Sequence, residues 1–191
     1  MSFPDNIFVL CTGRCGSMTL AHACAHLTDR TSAHESRTHL LGPARLAYPP
    51  RHIEIDNRLS WHLGRLDQVW GDRAAYVHLT RDPEAVAQSY AARAHQGILK
   101  AYRLDITARA RHKNREAEVI DFARDYVATV TANIGLFLRD KTHVLPMALE
   151  TLADDFETFL GWSGAQGDLA AARAELAITH NATKDKAWKR L

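Results

Sequence analysis

The sequence IFVLCTGRCGSMTL occupies residues 7–20, near the start of the chain. Its first four residues are apolar and include β-branched and aromatic side chains, a composition typical of a buried parallel strand. A turn that contains Gly13 and Gly16 follows at once, and a helical pattern begins near Ser17. The segment therefore predicts a strand, a tight loop and a helix in direct succession.

The predicted loop has the character of an anion-binding site. Gly13 and Gly16 allow the backbone to turn sharply and to come close to a ligand. Successive N–H groups can then point inward at the first turn of the helix, where the helix dipole also favours negative charge. Arg14 adds a guanidinium inside the loop. We therefore expect the loop to bind a phosphate-like anion.

Two common phosphate loops do not match this segment. A Walker loop has Gly, four residues, then Gly, Lys and Ser or Thr, whereas here the glycines are closer together and the cation is Arg14. A small cysteine phosphatase has an Arg six positions after its nucleophile, but neither Cys11 nor Cys15 is followed by one at that distance. The loop therefore differs from both classes.

The composition is that of one globular domain. The chain has 191 residues, enough for one α/β domain with a full core and too few to expect two. Apolar residues make up 46% and charged residues 24%, and no apolar run is long enough to span a bilayer. We therefore expect a single domain over residues 1–191 without a transmembrane segment.

The termini, cysteines and net charge bear on location and partners. Residues 1–6 lack the basic start of a signal peptide. The three cysteines all lie between Cys11 and Cys24, an odd number without a disulfide framework, which fits a reducing compartment. The net charge of +2 is too small for a general nucleic-acid binder. These features predict a cytoplasmic protein with no nucleic-acid partner and a buried Cys11.

Further segments alternate between strand and helix patterns. Four short apolar or alternating runs predict strands at residues 31–34, 52–56, 74–80 and 142–147. Helical patterns lie at about residues 17–27, 59–71, 116–139, 150–160 and 168–178. This alternation along the chain is typical of α/β proteins.

A second candidate anion site follows the strand predicted at residues 74–80. Asp82 is a good N-cap and Pro83 suits the first helical position. Ser89 lies seven residues after Asp82, about two helical turns, which places its hydroxyl on the same side as Arg81. A guanidinium and a hydroxyl that converge in this way match the needs of a terminal phosphate.

Glu35 is a candidate functional carboxylate. It follows the strand predicted at residues 31–34, and ligands of open parallel sheets bind beyond the carboxyl ends of the strands. His39 lies four residues further on, and Asp56 lies at the carboxyl end of the strand predicted at residues 52–56. A local role for Glu35, as a cap or in a surface salt bridge, is the alternative.

Two other features have more than one interpretation. His22 and His26 have metal-chelating spacing, but Ala23 stands where the zinc-protease pattern needs Glu, so we expect structural histidines and no metal site. Residues 93–115 are strongly basic. They form either a solvated face or a mobile basic lid that attracts an acidic acceptor or closes over an anionic donor.

Both anion motifs resemble those of the sulfotransferases that use 3′-phosphoadenosine-5′-phosphosulfate (PAPS). Residues 12–17 are similar to the 5′-phosphosulfate loop, in which Lys or Arg is followed by a small residue, Gly and Ser or Thr. The segment from Arg81 to Ser89 is similar to the 3′-phosphate motif and lies at the expected distance downstream. The resemblance implies a three-layer α/β/α fold of the P-loop nucleotide-hydrolase type, with a mostly parallel sheet of about five strands.

The resemblance also implies a reaction. PAPS would donate its sulfuryl group to a hydroxyl or amine of a small-molecule, carbohydrate or lipid acceptor, leaving 3′-phosphoadenosine-5′-phosphate (PAP), and no metal is implied. Arg14 would stabilise the charge on the departing phosphate oxygen. Glu35 would be the base, because several carbohydrate and tyrosine sulfotransferases place a Glu just beyond the second strand; His34, His39 and Asp56 are the alternatives.

The same resemblance implies a set of donor contacts. They are Gly13, Arg14, Cys15, Gly16, Ser17, Met18, Thr19, Arg81, Ser89, Lys184 and Trp188. Met18 departs from the family pattern, which has a second hydroxyl residue there, and Thr19 is the substitute. The chain also lacks the Gly pair of the family's basic tail, which bears on Lys184 and Trp188.

Two other classes of function stay open. One is a protein of the same fold that holds the nucleotide without catalysis, and the other is a kinase-like P-loop phosphotransferase. Glu35 favours catalysis over binding alone, and the absent Walker Lys disfavours the kinase-like class. The acceptor depends on loops such as residues 36–51 and 94–115, whose sequences do not identify it.

Overall fold

The computed structural model describes residues 3–108 and 118–178. Within these ranges one sheet has the strand order β2-β3-β1-β4-β5, and every neighbouring pair is parallel. The strands are β1 (Ile7–Cys11), β2 (Thr31–His34), β3 (His52–Ile55), β4 (Ala75–Thr80) and β5 (Val144–Ala148). The predicted α/β fold with a five-stranded sheet is confirmed, and its parallel pairing is complete.

The α-helices of the described ranges follow the strands in the expected order. They are α1 (Ser17–Cys24), α2 (Leu63–Val69), α3 (Pro83–Ala91), α4 (Gly97–Ala101), α5 (Val119–Leu138), α6 (Leu152–Ser163) and α7 (Leu169–Leu176). Asp82 caps α3 by accepting from the Ala85 N–H at 2.7 Å, and Pro83 is the first helical residue, as predicted.

Three helix boundaries differ from the sequence-based expectation. The first helix ends at Cys24 rather than near residue 27. A 3-10 segment, Asn57–Trp61, precedes α2, so this region is two short pieces instead of one helix. Gly161 lies inside α6, and Gly164 caps the helix after Ser163 with φ of 63°, a left-handed conformation that glycine adopts without Cβ strain.

Two apolar layers enclose the sheet. Alternate residues of β1 point to opposite faces, so that Val9 joins one cluster and Phe8 the other. The first cluster contains side chains of α1, α6 and α7, and the second contains side chains of α3 and α5. This burial on both faces explains why β1 is continuously apolar.

The face of β3 opposite to its isoleucines carries charge and is nevertheless buried. Glu54 and Asp56 are 0% exposed, and His52 is 5% exposed. Arg45 and Tyr48, from the segment before β3, are also buried, and both belong to the hydrogen-bonded network around Asp56. The alternation of β3 therefore separates an apolar face from a buried polar one, not from a solvated one.

The burial of the His78 side chain predicts how the free energy of unfolding depends on pH. Burial in β4 lowers the pKa of His78 from its ordinary value of 6.5. Well above pH 6.5 the His78 side chain is neutral in both the folded and the unfolded chain. As the pH falls, His78 of the unfolded chain takes up a proton first, which stabilises the unfolded state relative to the folded one. We expect the free energy of unfolding to fall as pH drops below about 6.5, and His78→Gln to make that fall smaller.

Urea unfolding at several pH values between 5 and 7.5 measures this loss. His62 contributes in the same direction, because burial lowers its pKa as well. The comparison is therefore between the wild type and His78→Gln. Identical pH dependence in the two proteins would contradict a buried neutral His78.

Candidate functional site

The loop between β1 and α1 has left-handed backbone at three positions. The φ angles are 83° at Gly13, 62° at Arg14 and 85° at Gly16. Left-handed and right-handed residues in succession turn backbone N–H groups towards a common point, which creates an anion-binding concavity. Arg14 is the one non-glycine of the three, and such residues in strained backbone concentrate at functional sites.

Close packing explains why two positions of this loop are glycine. A Cβ atom at Gly13 would lie 2.3 Å from the Tyr90 hydroxyl and 2.6 Å from Nδ2 of Asn57. A Cβ atom at Gly16 would lie 2.5 Å from Cδ1 of Leu149. Neither position has room for a larger residue without a shift of its neighbours.

Side-chain hydroxyl groups contact the backbone carbonyls at the start of the loop. Tyr90 and Tyr126 both donate to the Thr12 carbonyl, at 2.6 Å and 2.9 Å. The Ser60 hydroxyl lies 2.7 Å from the Asn57 carbonyl and 3.1 Å from the Cys11 carbonyl, between which its one proton is shared. Burial raises the pKa of both tyrosines, so each keeps the proton that it donates. Helices α3 and α5 therefore support the loop together with the 3-10 segment after β3.

Three guanidinium groups act at the loop. The Arg14 Nε donates to the Ser89 hydroxyl at 2.9 Å, and Arg81 donates to the Arg14 carbonyl at 3.2 Å. Burial lowers the pKa of Arg14, and the positive charges of Arg93 and Arg81 lower it further. Positive charge is thus concentrated at this edge of the sheet, where an anion would relieve the repulsion.

The two sequence motifs are in direct contact. The sequence predicted two separate anion sites, with Arg14 in the first and Arg81 with Ser89 in the second. In the structure, Arg14 reaches Ser89 across 75 positions of the chain, while the Ser17 hydroxyl lies 3.2 Å from Nε2 of His34. Arg14 therefore links the first motif to the second.

His34 is the last residue of β2 and Glu35 is the next residue of the chain, but the two side chains have different partners. Glu35 has φ of 50°, and its carboxylate accepts from the Arg58 guanidinium. The Glu35 side chain is 27% exposed and that of Arg58 is 43% exposed. The His34 ring contacts the hydroxyl of Ser17, the first residue of α1, directly after the loop. The structure thus brings His34 to the end of the loop and Glu35 to a solvent-accessible ion pair beside it.

The two other candidate bases differ in their access to solvent. Asp56 is fully buried and forms an ion pair with Arg45. Burial raises the pKa of Asp56, and the Arg45 charge opposes this effect. His39 is exposed. A sealed carboxylate has no route to an acceptor, so Asp56 is the least suited of the alternatives.

The remaining predicted donor contacts vary in accessibility. Cys15, a predicted donor contact, is 0% exposed, and so is Cys11, which the sequence predicted to be buried. Contact between the two side chains together with burial raises the pKa of the Cys11 thiol. Thr19, the proposed substitute at the position after Met18, is buried, and its hydroxyl lies 3.5 Å from the Ile178 carbonyl. Lys184 and Trp188 lie outside the described residues.

The described parts of the chain contain neither a metal-ligand cluster nor a membrane-spanning helix. Nowhere in residues 3–108 and 118–178 do three or more His, Cys, Asp or Glu side chains form a possible metal-binding group. His26 instead lies 3.7 Å from the Glu175 carboxylate. Among the helices of the same ranges, none is long and apolar enough to cross a membrane.

Sequence reasoning missed four residues of this region. Tyr90 directly follows Ser89 and Tyr126 lies on the apolar stripe of α5, so both had the pattern of core residues. Arg93 was counted only as part of a basic run, and Arg58 was not singled out. A buried tyrosine needs a hydrogen-bond partner for its hydroxyl. This requirement is the signal by which Tyr90 and Tyr126 could have been identified from the sequence.

Comparisons with known proteins give similarity to solved structures but none at the level of a sequence family. No family model matches the chain, and no curated protein matches it. Among solved structures, the mouse sulfotransferase SULT7A1 complexed with PAP is similar, with 14% sequence identity and a TM-score of 0.49. The similarity covers 91% of this chain and 66% of that chain, so the chain spans slightly less than two thirds of the mouse protein.

Proposed function

We propose that the protein is a sulfotransferase that moves the sulfuryl group of PAPS to a hydroxyl or amine of an acceptor. The observation that carries this proposal is the contact between the two anion motifs. Arg14 of the loop donates to Ser89, and Arg81 donates to the loop backbone. A donor with anionic groups at its 5′ and 3′ ends requires two such motifs at one edge of the sheet.

The residues divide between the two ends of the donor. The loop N–H groups and Arg14 bind the 5′-phosphosulfate, and Arg81 with Ser89 binds the 3′-phosphate. Arg93 adds positive charge to the same region, because its charge acts on Arg14. A guanidinium can bind a phosphate through two parallel hydrogen bonds, which suits Arg at both ends.

Transfer proceeds in line. The acceptor oxygen or nitrogen forms a bond to sulfur while the bond from sulfur to the phosphate oxygen breaks, and PAP departs. Negative charge develops on that phosphate oxygen, so preorganised donors aimed at it lower the barrier. Arg14 and the loop N–H groups are these donors.

Glu35 takes the proton from the hydroxyl or amine of the acceptor. It lies beyond β2, directly after a residue whose ring contacts Ser17 at the start of α1. Its ion pair with Arg58 is partly exposed, and such pairs contribute only about 0–1 kcal/mol, so an incoming acceptor can displace it. His34 is the rival base, since its ring lies within hydrogen-bond distance of Ser17.

The first test is nucleotide selectivity. We expect PAP to bind about 10- to 100-fold more tightly than 5′-AMP, because a charge-assisted hydrogen bond is worth about 1.5–3 kcal/mol. Arg81→Ala should remove this preference and leave the fold intact. Isothermal titration calorimetry with both nucleotides measures the two affinities.

Arg173→Ala is the matched control for Arg81→Ala. Arg173 forms an exposed ion pair with Glu157, so its removal changes the chain's charge equally. We expect this variant to keep the preference for PAP. Equal affinity of the wild type for PAP and 5′-AMP would refute the assignment, and PAP selectivity without turnover of PAPS against hydroxyl and amine acceptors would leave a nucleotide-binding protein.

A further inference from the structure

The buried polar face of β3 is energetically unfavourable, because its charged groups are removed from water. Glu54 and Asp56 are fully buried carboxylates, and Arg45 is the guanidinium that pairs with Asp56. A buried carboxylate is unfavourable unless hydrogen bonds replace its water, and apolar residues of similar size often stabilise a core more. A specific task of these two carboxylates would explain why they stand there.

Glu54 holds the turn that follows β2. Its carboxylate accepts from the Ser36 N–H and from the Ser36 hydroxyl, both at 2.7 Å. His52 Nε2 lies 3.0 Å from the same carboxylate, and His52 Nδ1 lies 2.7 Å from the Thr31 hydroxyl. Ser36 is the residue directly after Glu35. Glu54 therefore clamps the backbone next to the proposed base.

Asp56 holds Arg58, which is the ion-pair partner of Glu35. One of its oxygens accepts from the Arg58 N–H at 2.7 Å, and the other accepts from Arg45. Arg45 in turn donates to the Tyr48 hydroxyl at 2.8 Å. The Arg58 side chain donates to Glu35. Asp56 thus fixes the backbone of the residue that orients the Glu35 carboxylate.

The contacts of Glu54 with Ser36 and of Asp56 with Arg58 both restrict the position of Glu35. An exposed ion pair has little preference for one geometry, so Arg58 alone does not hold the carboxylate in place. Glu35 also has left-handed backbone with φ of 50°, which a non-glycine residue keeps only when its surroundings impose it. The two hydrogen bonds from Ser36 to Glu54 supply that restraint.

We propose that Glu54 and Asp56 are positioning residues that hold Glu35 and Arg58 for activation of the acceptor. This proposal rests on the proposed function. Neither carboxylate touches the substrate, because both are sealed from solvent. They act through the backbone of Ser36 and Arg58, and so set where the base stands relative to the phosphate loop.

A double-mutant cycle tests the proposal. The variants are Glu54→Gln, Glu35→Gln and the two combined, and the measurement is PAP release from PAPS with the best acceptor among an alkyl alcohol, a phenol, a hexose and a hexosamine. We expect Glu35→Gln to lower kcat by about 10²-fold and Glu54→Gln by about 10-fold. The combined variant should match Glu35→Gln, because a residue that acts only through Glu35 has no effect once its basicity is gone.

Two further variants separate positioning from general stability. Asp29→Asn alters a largely buried carboxylate next to the start of β2, where Asp29 binds Arg30 and the Gln166 N–H, and we expect it to leave kcat unchanged. Ser36→Ala removes one hydrogen bond to Glu54 at an exposed residue and should lower kcat by a few fold. Ser36→Ala completes the cycle if Glu54→Gln does not fold. PAP affinity, measured by calorimetry, should stay within about twofold of the wild type in every variant.

Each outcome separates this proposal from the proposed function. Unchanged kcat in Glu54→Gln, or an equal loss in the wild-type and Glu35→Gln backgrounds, overturns the positioning role and leaves the sulfotransferase assignment standing. Full activity of Glu35→Gln also overturns it, because the base is then elsewhere. A wild-type protein that neither binds PAP nor consumes PAPS refutes the proposed function itself.

Discussion

Arg14→Ala is expected to lower the single-turnover rate of sulfuryl transfer by about 10²- to 10³-fold, the usual effect of removing one preorganised donor at a developing charge. Donor affinity should fall much less, because the charge that Arg14 meets is largest in the transition state. The Arg14 guanidinium is held by Ser89 and lies in the field of Arg81 and Arg93. It is therefore oriented before the donor arrives. Rapid-quench measurement of PAP formation, with enzyme in excess over PAPS, gives the rate.

Arg14→Lys separates charge from geometry. It keeps the positive charge but loses the planar fork that allows Nε to contact Ser89 while the other nitrogens face the donor. We expect it to recover donor affinity but only part of the rate. Arg173→Ala, on the exposed surface of α7, should match the wild type. Unchanged rate and affinity in Arg14→Ala would show that the loop is not the donor site.

Gly13→Ala is expected to destabilise the protein by about 2–5 kcal/mol and to abolish PAP binding. Left-handed backbone at φ of 83° disfavours a residue with a Cβ by about 1–2 kcal/mol. The clash with the Tyr90 hydroxyl and Asn57 adds an overpacking term of about 1–3 kcal/mol. Relief of that clash must move either the loop or the hydroxyl that holds it. Urea unfolding measures the stability, and calorimetry measures PAP binding.

Gly135→Ala is the matched control. Gly135 lies in α5, is exposed, and has no atom other than nearby backbone of its own helix within 4 Å of the position that its Cβ would take. Alanine there should stabilise the helix by about 0.5–1 kcal/mol and leave PAP affinity unchanged. Normal stability and PAP affinity in Gly13→Ala would contradict the close packing of Tyr90 and Asn57 against the loop.

Local patterns were sufficient for the sheet and for the start of each motif. The apolar run before Gly13 and the alternation at His52 predicted β1 and β3, because strand formation depends on side-chain periodicity within a few residues. Asp82 and Pro83 predicted the start of α3, since capping is also a local effect. Boundaries were less accurate where a helix end depends on packing, as at Gly161 and Gly164.

The partners of the charged side chains required the tertiary structure. A sequence shows that Glu54 alternates with isoleucines, but not that the segment with Arg45 and Tyr48 covers its face of β3. Hydrogen bonds between distant segments depend on how the sheet brings strand ends together. Arg14 and Ser89 are 75 positions apart and nevertheless in contact.

The sequence thus determined the strand, loop and helix of residues 7–20, the start of α3 after Arg81, and the α/β class, because each follows from spacing along the chain. The parallel pairing of the sheet was implied by the resemblance to sulfotransferases. Packing of distant segments decided that Arg14 binds Ser89, that Glu35 pairs with Arg58, and that two buried carboxylates support this pair. The physical reason is that backbone periodicity is a local property. The partner of a charged group depends instead on which surfaces the fold covers.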